Sequence, residues 1–325
     1  MDIDLSGFDR KAAKVTQLVL KYDAKTRKKF EKELLAQSYR AEKKEDGLFA
    51  HMVVVDGQVI SVRSRTGNEL VNLDGLCERV EDAFALKGAH VIMGEVVNPE
   101  TSLEQLGAMI KSSRKKPLSK DEELAHVATA FVAFDMVTLD EFNVGTSDTP
   151  SQQRREYLEE AYDIRYFING VSLSEVIEWK VRGHNHIDAL ATVEIEDGEE
   201  GIVVKANLAP WESCRRTHLN FKIVSGVDFD LRCIGYEMGT EGTKREGMVA
   251  NLIMQWKPYG LPENEYVELV MDGRATDVQR KEWAADPTLI VDKIFHVHGL
   301  CVGSKGSIRL VKFHEIRIDK DIADL

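Results

Sequence analysis

The run Glu42-Lys43-Lys44-Glu45-Asp46-Gly47 sets a lysine beside an Asp-Gly turn, between a polar helical segment and an alternating strand pattern over residues 49–62. A lysine so placed is either a solvated surface cation or a nucleophile whose amine attacks an electrophilic phosphorus. The second role requires loss of a proton, because an ordinary lysine titrates near 10.4 and is protonated at neutral pH. Nearby positive charge, desolvation or a base can bring that about, and Asp46-Gly47 supplies the turn that exposes Lys44. Three further segments carry a carboxylate or lysine beside apolar strand residues: Met93-Gly94-Glu95-Val96, Phe131-Val132-Ala133-Phe134-Asp135 and Glu199-Glu200-Gly201-Ile202-Val203-Val204-Lys205. An unpaired carboxylate is costly there. Pairing with Arg65, Lys205 or Lys222 would neutralise Glu95, Asp135 and Glu200, and so would a divalent cation. Magnesium suits such oxygen-rich surroundings, with water and phosphate completing its shell. Only the four segments together suggest a pocket for nucleotidyl transfer.

The elements that must hold these residues follow from periodicity. Residues 9–37 read as helical, with Ala12, Val15, Leu18 and Val19 on one side. Residues 49–62 alternate with period two and turn at Asp56-Gly57. Helical spacing resumes over 73–87, a buried strand over 90–97, and a short helix over 103–112. Residues 127–137 are strand-like, with Asp135 interrupting an apolar run. Ser151 opens a helix bearing Arg154, Arg155, Leu158 and Tyr162. Residues 174–180 read as helical, His184 and His186 as a loop pair, and 201–205 as a strand after an acidic turn. Beyond Val224 five short strand patterns (229–237, 248–256, 266–271, 295–301 and 307–318) and a helical stretch at 276–284 fit a small barrel of the OB type. The expectation is an α+β chain: a catalytic domain with antiparallel sheets over residues 1–226, then an OB-fold β-barrel over 227–325.

Composition narrows the class. The chain has 325 residues and a formal charge of −12, which would ordinarily argue against a nucleic-acid partner. Its positive charge is clustered, however, at residues 11–32, 111–120, Arg215-Arg216 and 309–320, so a local basic face can still grip DNA. No run of 18 apolar residues predicts a membrane span, and the acidic start lacks the pattern of a signal peptide, so the expected location is cytoplasmic. The four cysteines form no CxxC pair, and neither a G-x-x-x-x-G-K-[ST] loop nor a dinucleotide glycine fingerprint is present.

In order, these segments resemble the covalent nucleotidyltransferase superfamily, most closely an ATP-dependent DNA ligase of the small bacteriophage or bacterial type. Lys44-Glu45-Asp46-Gly47 is similar to the nucleophile segment, and Ser64-Arg65-Thr66-Gly67 to the one that contacts AMP or the nick phosphate. Gly94-Glu95 is similar to the ribose- or metal-binding segment, and Phe134 to the adenine-stacking aromatic. Glu200-Gly201-Ile202-Val203-Val204-Lys205 resembles the metal-site segment, Phe221-Lys222-Ile223-Val224 the phosphate-binding one, and Arg317-Ile318-Asp319-Lys320 the terminal segment that the barrel swings over ATP. The chain departs from the pattern at Phe49, usually arginine, and at Val224, often lysine. Those departures leave phosphate contacts to Arg40, Arg63, Arg215 or Arg216. With about 43 residues before Lys44, no separate helical DNA-binding domain is expected.

The resemblance implies a catalytic set of Lys44, Asp46, Arg65, Glu95, Glu200, Lys205, Lys222, Arg317 and Lys320. It implies nucleotide binding by Glu42, Lys43, Lys44, Arg65, Glu95, Phe134, Lys205 and Lys222. It further implies Mg2+ (or Mn2+) on Glu95 and Glu200, ATP and nicked duplex DNA as partners, and a monomer in a bacterial cytoplasm, or in the host's if bacteriophage-encoded. An RNA ligase, an mRNA-capping guanylyltransferase and a non-catalytic OB nucleic-acid-binding protein are the competing readings.

Overall fold

A computed structural model describes residues 3–10, 15–34, 36–257, 261–262, 265–299, 308, 311–320 and 322–324. Ala12, and residues 11, 301, 307 and 309 at the ends of ranges given above, lie outside the described residues. The chain forms two compact units, Met1–Val224 and Ser225–Leu325. Among the described residues no helix is long and apolar enough to cross a membrane.

The first unit runs β1 (Leu18–Lys21), α1 (Ala24–Glu33), β2 (Tyr39–Lys43), β3 (Leu48–Val55), β4 (Gln58–Ser64), α2 (Asp74–Ala83), β5 (Ala89–Val97), α3 (Leu103–Ile110), α4 (Lys120–His126), β6 (Ala130–Thr138), α5 (Leu139–Val144), β7 (Thr146–Ser147), α6 (Ser151–Ala161), β8 (Val171–Leu173), β9 (Val176–Glu178), α7 (His184–Glu196), β10 (Gly201–Ala206), β11 (Trp211–Glu212) and β12 (Arg216–Val224). The first sheet has the order β1-β12-β10-β2-β9 and the second β4-β3-β5-β6-β8. Both are mixed rather than antiparallel as expected, because β1 pairs with β12, and β6 with β8, in parallel.

Alternation along β2 divides the work of the first sheet. Tyr39 and Ala41 pack with Ile202, Val204, Phe221 and Phe30 in one core, which includes Ile187 and Ala191 of α7. Arg40 and Glu42 point to the other face. The second sheet buries Met52, Ile92 and Phe131 against Leu76 and Val80 of α2, Leu106 of α3 and Leu158 of α6. Its hairpin turns at Asp56 and Gly57, both with positive φ (48° and 84°), as a two-residue loop between twisted strands requires.

Three expectations fail here. Leu18 and Val19 belong to a strand, and the helix begins only at Ala24, where the Asp23 side chain accepts from Thr26 N at 2.8 Å. Residues 174–180 are not helical: Val176–Glu178 is a strand added beside β2, which suits the β-branched Val176 and Ile177. His184 and His186 sit in the first turn of α7, with the His184 ring hydrogen-bonded to the Tyr22 hydroxyl.

The second unit contains β13 (Val227–Met238), β14 (Val249–Trp256), β15 (Val267–Met271), α8 (Asp277–Ala285), β16 (Ile294–Gly299) and β17 (Lys312–Ile316). Its sheet is antiparallel, in the order β15-β14-β13-β16-β17. One bridge, Gly273 to Phe313, joins the chain just past β15 to β17 at the far edge, with Arg274 N donating to Phe313 O at 3.0 Å. Trp283 of α8 packs with Phe295 and Phe313 over one face. Among the described residues that one bridge is short of a closed ladder, and what they form is a five-stranded antiparallel sheet.

Candidate active site

Lys44 lies where the chain leaves the first sheet for the second: β2 ends at Lys43 and β3 begins at Leu48. The connector is pinned at both ends. Lys44 N donates to Gly201 O at 2.9 Å, and a Cβ on Gly47 would stand 2.8 Å from Glu95 Cβ and from Val96 O. Only glycine lets the connector pass that close to β5. Gly201 is equally constrained, with φ of +135° and its absent Cβ 2.2 Å from Ile223 O.

That crossing gathers the charged groups. Lys44 Nζ donates to Glu200 Oε2 at 2.5 Å and to Glu45 O at 3.2 Å. Glu95, on β5, is buried (7% exposed) and stands 3.8 Å from Arg65 Nη2, while its Oε2 has no hydrogen-bond partner. Burial pushes the Glu95 carboxyl up to about 7; Lys44 and Arg65 oppose this, and Glu200 and Asp46 add to it. Lys222, half-buried on β12, is drawn below its ordinary value by burial first and by the Lys44 charge second, with Glu200 pulling the other way. Lys43 pairs outward with Glu199 at 2.5 Å, and Asp46 is exposed on the turn.

Deeper in, the inward face of β2 holds a buried ionic group. Glu42 accepts from Arg40 Nε at 2.7 Å, Lys205 Nζ at 2.6 Å and Ser174 Oγ at 3.2 Å. The register explains it: Lys205 faces Arg40 and Val203 faces Glu42, so two cations lie opposite each other with one carboxylate between them. Burial disfavours the Glu42 charge, but Lys205, Arg40 and Arg155 outweigh it and hold the carboxyl down at about 2. Lys205 Nζ also donates to Phe134 O at 3.3 Å and sits 4.9 Å from the Phe134 ring centroid. The half-buried Phe134 ring meets Phe49 at 5.7 Å, and Arg65 stacks over Phe49 at 5.1 Å. Phe49, opposite Glu95 in the β3–β5 ladder, thus joins Arg65 to Phe134.

The predicted residues of the first unit therefore converge, apart from Lys43, which pairs with Glu199 on the other face of β2. Asp135 is neutralised chiefly by Arg154 through a two-pronged pair at 2.8 and 2.9 Å, with Lys205 and Arg40 adding to it. Arg40 is buried against Glu42, with its Nη1 left without a hydrogen-bond partner. Arg154, Arg155 and Ser174 were missed as partners, because nothing in their spacing signals which strand they will meet. In the second unit Arg317 and Lys320 both pair with Asp230. Among the described residues no three His, Cys, Asp or Glu side chains form a metal site. The orphaned Glu95 oxygen nevertheless suits Mg2+, which takes few protein ligands and fills its shell with water and phosphate.

A family described as "ATP dependent DNA ligase domain" matches residues 19–223. Among solved structures, Pmar-Lig_PreS3 is 17% identical with a TM-score of 0.71, over 94% of this chain and 68% of that one. A Lig E DNA ligase is 17% identical with a TM-score of 0.67, over 93% and 98%. The ATP-dependent DNA ligase of bacteriophage T7, complexed with ATP, is 15% identical with a TM-score of 0.54, over 93% and 98%. At such identities the structures show a shared fold. No curated protein matches significantly in sequence. The family match covers well over half of the 325 residues and every charged group gathered around Lys44 and Glu42, and on it the chain belongs to the ATP-dependent DNA ligases.

Proposed function

We propose that this ATP-dependent DNA ligase joins 3'-hydroxyl and 5'-phosphate ends of nicked duplex DNA through a covalent Lys44–AMP. One observation carries the assignment: the Lys44 amine is hydrogen-bonded to Glu200 at 2.5 Å, at the crossing between the sheets. Glu200 is placed to take a proton from Lys44 Nζ, and the bare amine then attacks the α-phosphorus of ATP. The Nζ–P bond forms as the bond to pyrophosphate breaks. Phe134 stacks on adenine, with Glu42 and Lys205 behind it setting the depth of the pocket. Arg65 and Lys222 face the phosphates, Lys43 braces the connector from outside through Glu199, and Asp46 holds the turn. Glu95 and Glu200 would hold Mg2+ (or Mn2+), which when bound offsets phosphate charge. The 5'-phosphate then takes AMP from Lys44, and the 3'-hydroxyl displaces AMP to close the strand.

On this reading residues 1–226 are the adenylation domain and 227–325 an OB-type barrel, supported by the five-stranded order and the Gly273–Phe313 bridge. Arg317 and Lys320 of the barrel orient the departing pyrophosphate. The enzyme acts as a cytoplasmic monomer. Incubation with Mg2+ and α-labelled ATP, GTP or NAD is expected to label the protein from ATP alone, and Lys44→Ala to abolish the label. Covalent AMP on the Lys44→Ala protein would refute the assignment. Nicked duplexes of DNA and of RNA then separate DNA ligase from RNA ligase.

A further inference from the structure

Arg317 and Lys320 are not free cations. Asp230, on β13 and almost wholly buried, accepts from Arg317 Nη1 at 2.7 Å and also pairs with Lys320 Nζ. The contact is reinforced from both sides. Asp230 N donates to Asp324 Oδ2 and Asp324 N donates to Asp230 O, each at 2.7 Å. Arg317 also pairs with Asp319 at 2.7 Å, Lys320 with Asp324 at 3.6 Å, and His296 Nδ1 lies 3.3 Å from Asp230. Two cations thus face three carboxylates. A segment so neutralised offers little attraction to a polyanion, since each donor it would lend is already directed at a carboxylate.

We propose that Asp230 is a positioning residue that parks Arg317 and Lys320 and competes with pyrophosphate for them. This rests on the reading that those two cations act on pyrophosphate during adenylylation. The parked pair suits the steps after AMP has been loaded, when no pyrophosphate is present. Adenylylation requires the two side chains to exchange the Asp230 carboxylate for phosphate oxygens.

The test is Asp230→Asn in the full chain, read as three separate rates. Expected is a rise in kcat/KM for ATP in Lys44–AMP formation, roughly 2- to 5-fold, the order that releasing a partly exposed ion pair permits. Pyrophosphate-driven removal of AMP should rise by the same factor, because both directions share one transition state. Sealing of pre-adenylated nicked DNA should be unchanged, and Asp230→Glu should behave as the wild type. A general packing defect would slow all three rates. Slower or unaltered adenylylation in a folded Asp230→Asn protein overturns the proposal. If that variant does not fold, the wild-type protein still decides: the carboxyl carbon resonance of Asp230 must shift when pyrophosphate is added, and an unmoved signal overturns the idea. Unimpaired adenylylation in both Arg317→Ala and Lys320→Ala would instead overturn the underlying reading, and the proposal with it.

Discussion

Glu42→Gln is the sharpest probe of how the cleft is held together. It keeps the side chain's size and removes the one negative charge between Arg40 and Lys205. The Glu42 carboxyl is held at about 2 against an ordinary 4.5. At about 1.4 kcal/mol per pH unit, that gap corresponds to roughly 3 kcal/mol of stability at neutral pH. Breaking a buried pair by removing one partner costs about 3–5 kcal/mol, which agrees. The sign follows from proton counting. Between pH 4.5 and 2 the unfolded chain binds more protons than the folded one. The contribution of Glu42 is therefore complete above pH 4.5 and drains away as pH falls through about 2. Hydrogen exchange of the β2 and β10 amides in increasing urea reports on the first unit alone. Wild type should exceed Glu42→Gln by about 3 kcal/mol at pH 7, and the gap should shrink by roughly 1 kcal/mol on going to pH 3.5. A gap under about 1 kcal/mol at pH 7, or one that ignores pH, would refute the claim that this charge organises the cleft.

Two further substitutions test the placement of Lys44 and of the nucleotide. Gly47→Ala puts a methyl 2.8 Å from Glu95 Cβ and Val96 O; the backbone must move at a cost of about 1–3 kcal/mol, and labelling from ATP should slow at least roughly tenfold. A wild-type labelling rate would show that the connector's path does not position the amine. Phe134→Leu keeps apolar bulk but removes the ring; KM for ATP in self-adenylylation should rise about 3- to 10-fold, as loss of one aromatic contact predicts. The rate of sealing pre-adenylated nicks should change less, and an unchanged KM would remove Phe134 from the adenine pocket.

What the sequence revealed was governed by range. The hairpin at Asp56-Gly57 is local chemistry, and it formed where turn residues interrupt an alternating pattern. Leu18 and Val19 were misread because their spacing fits a helix as well as a strand. The choice is made by parallel pairing with Phe221 and its neighbours, which no local window contains. Val176–Glu178 fails for the same reason, its partner being β2. The structure brings Lys44, Glu95 and Glu200 together, and each adjoins a glycine or a turn that has to let another backbone approach. The charge on Glu42 was visible too, but its function was not. That function depends on the register that sets Lys205 opposite Arg40, and shifting β10 by one residue would turn Lys205 to the apolar face. Asp135 makes the converse point. Its sequence context matches that of Glu95, an acid beside apolar strand residues, yet Arg154 reaches it from α6 and binds both its oxygens, whereas Glu95 keeps an unpartnered oxygen. Two carboxylates of the same local character thus differ in whether an oxygen is left unpaired, and the difference is made by a helix that neither strand specifies.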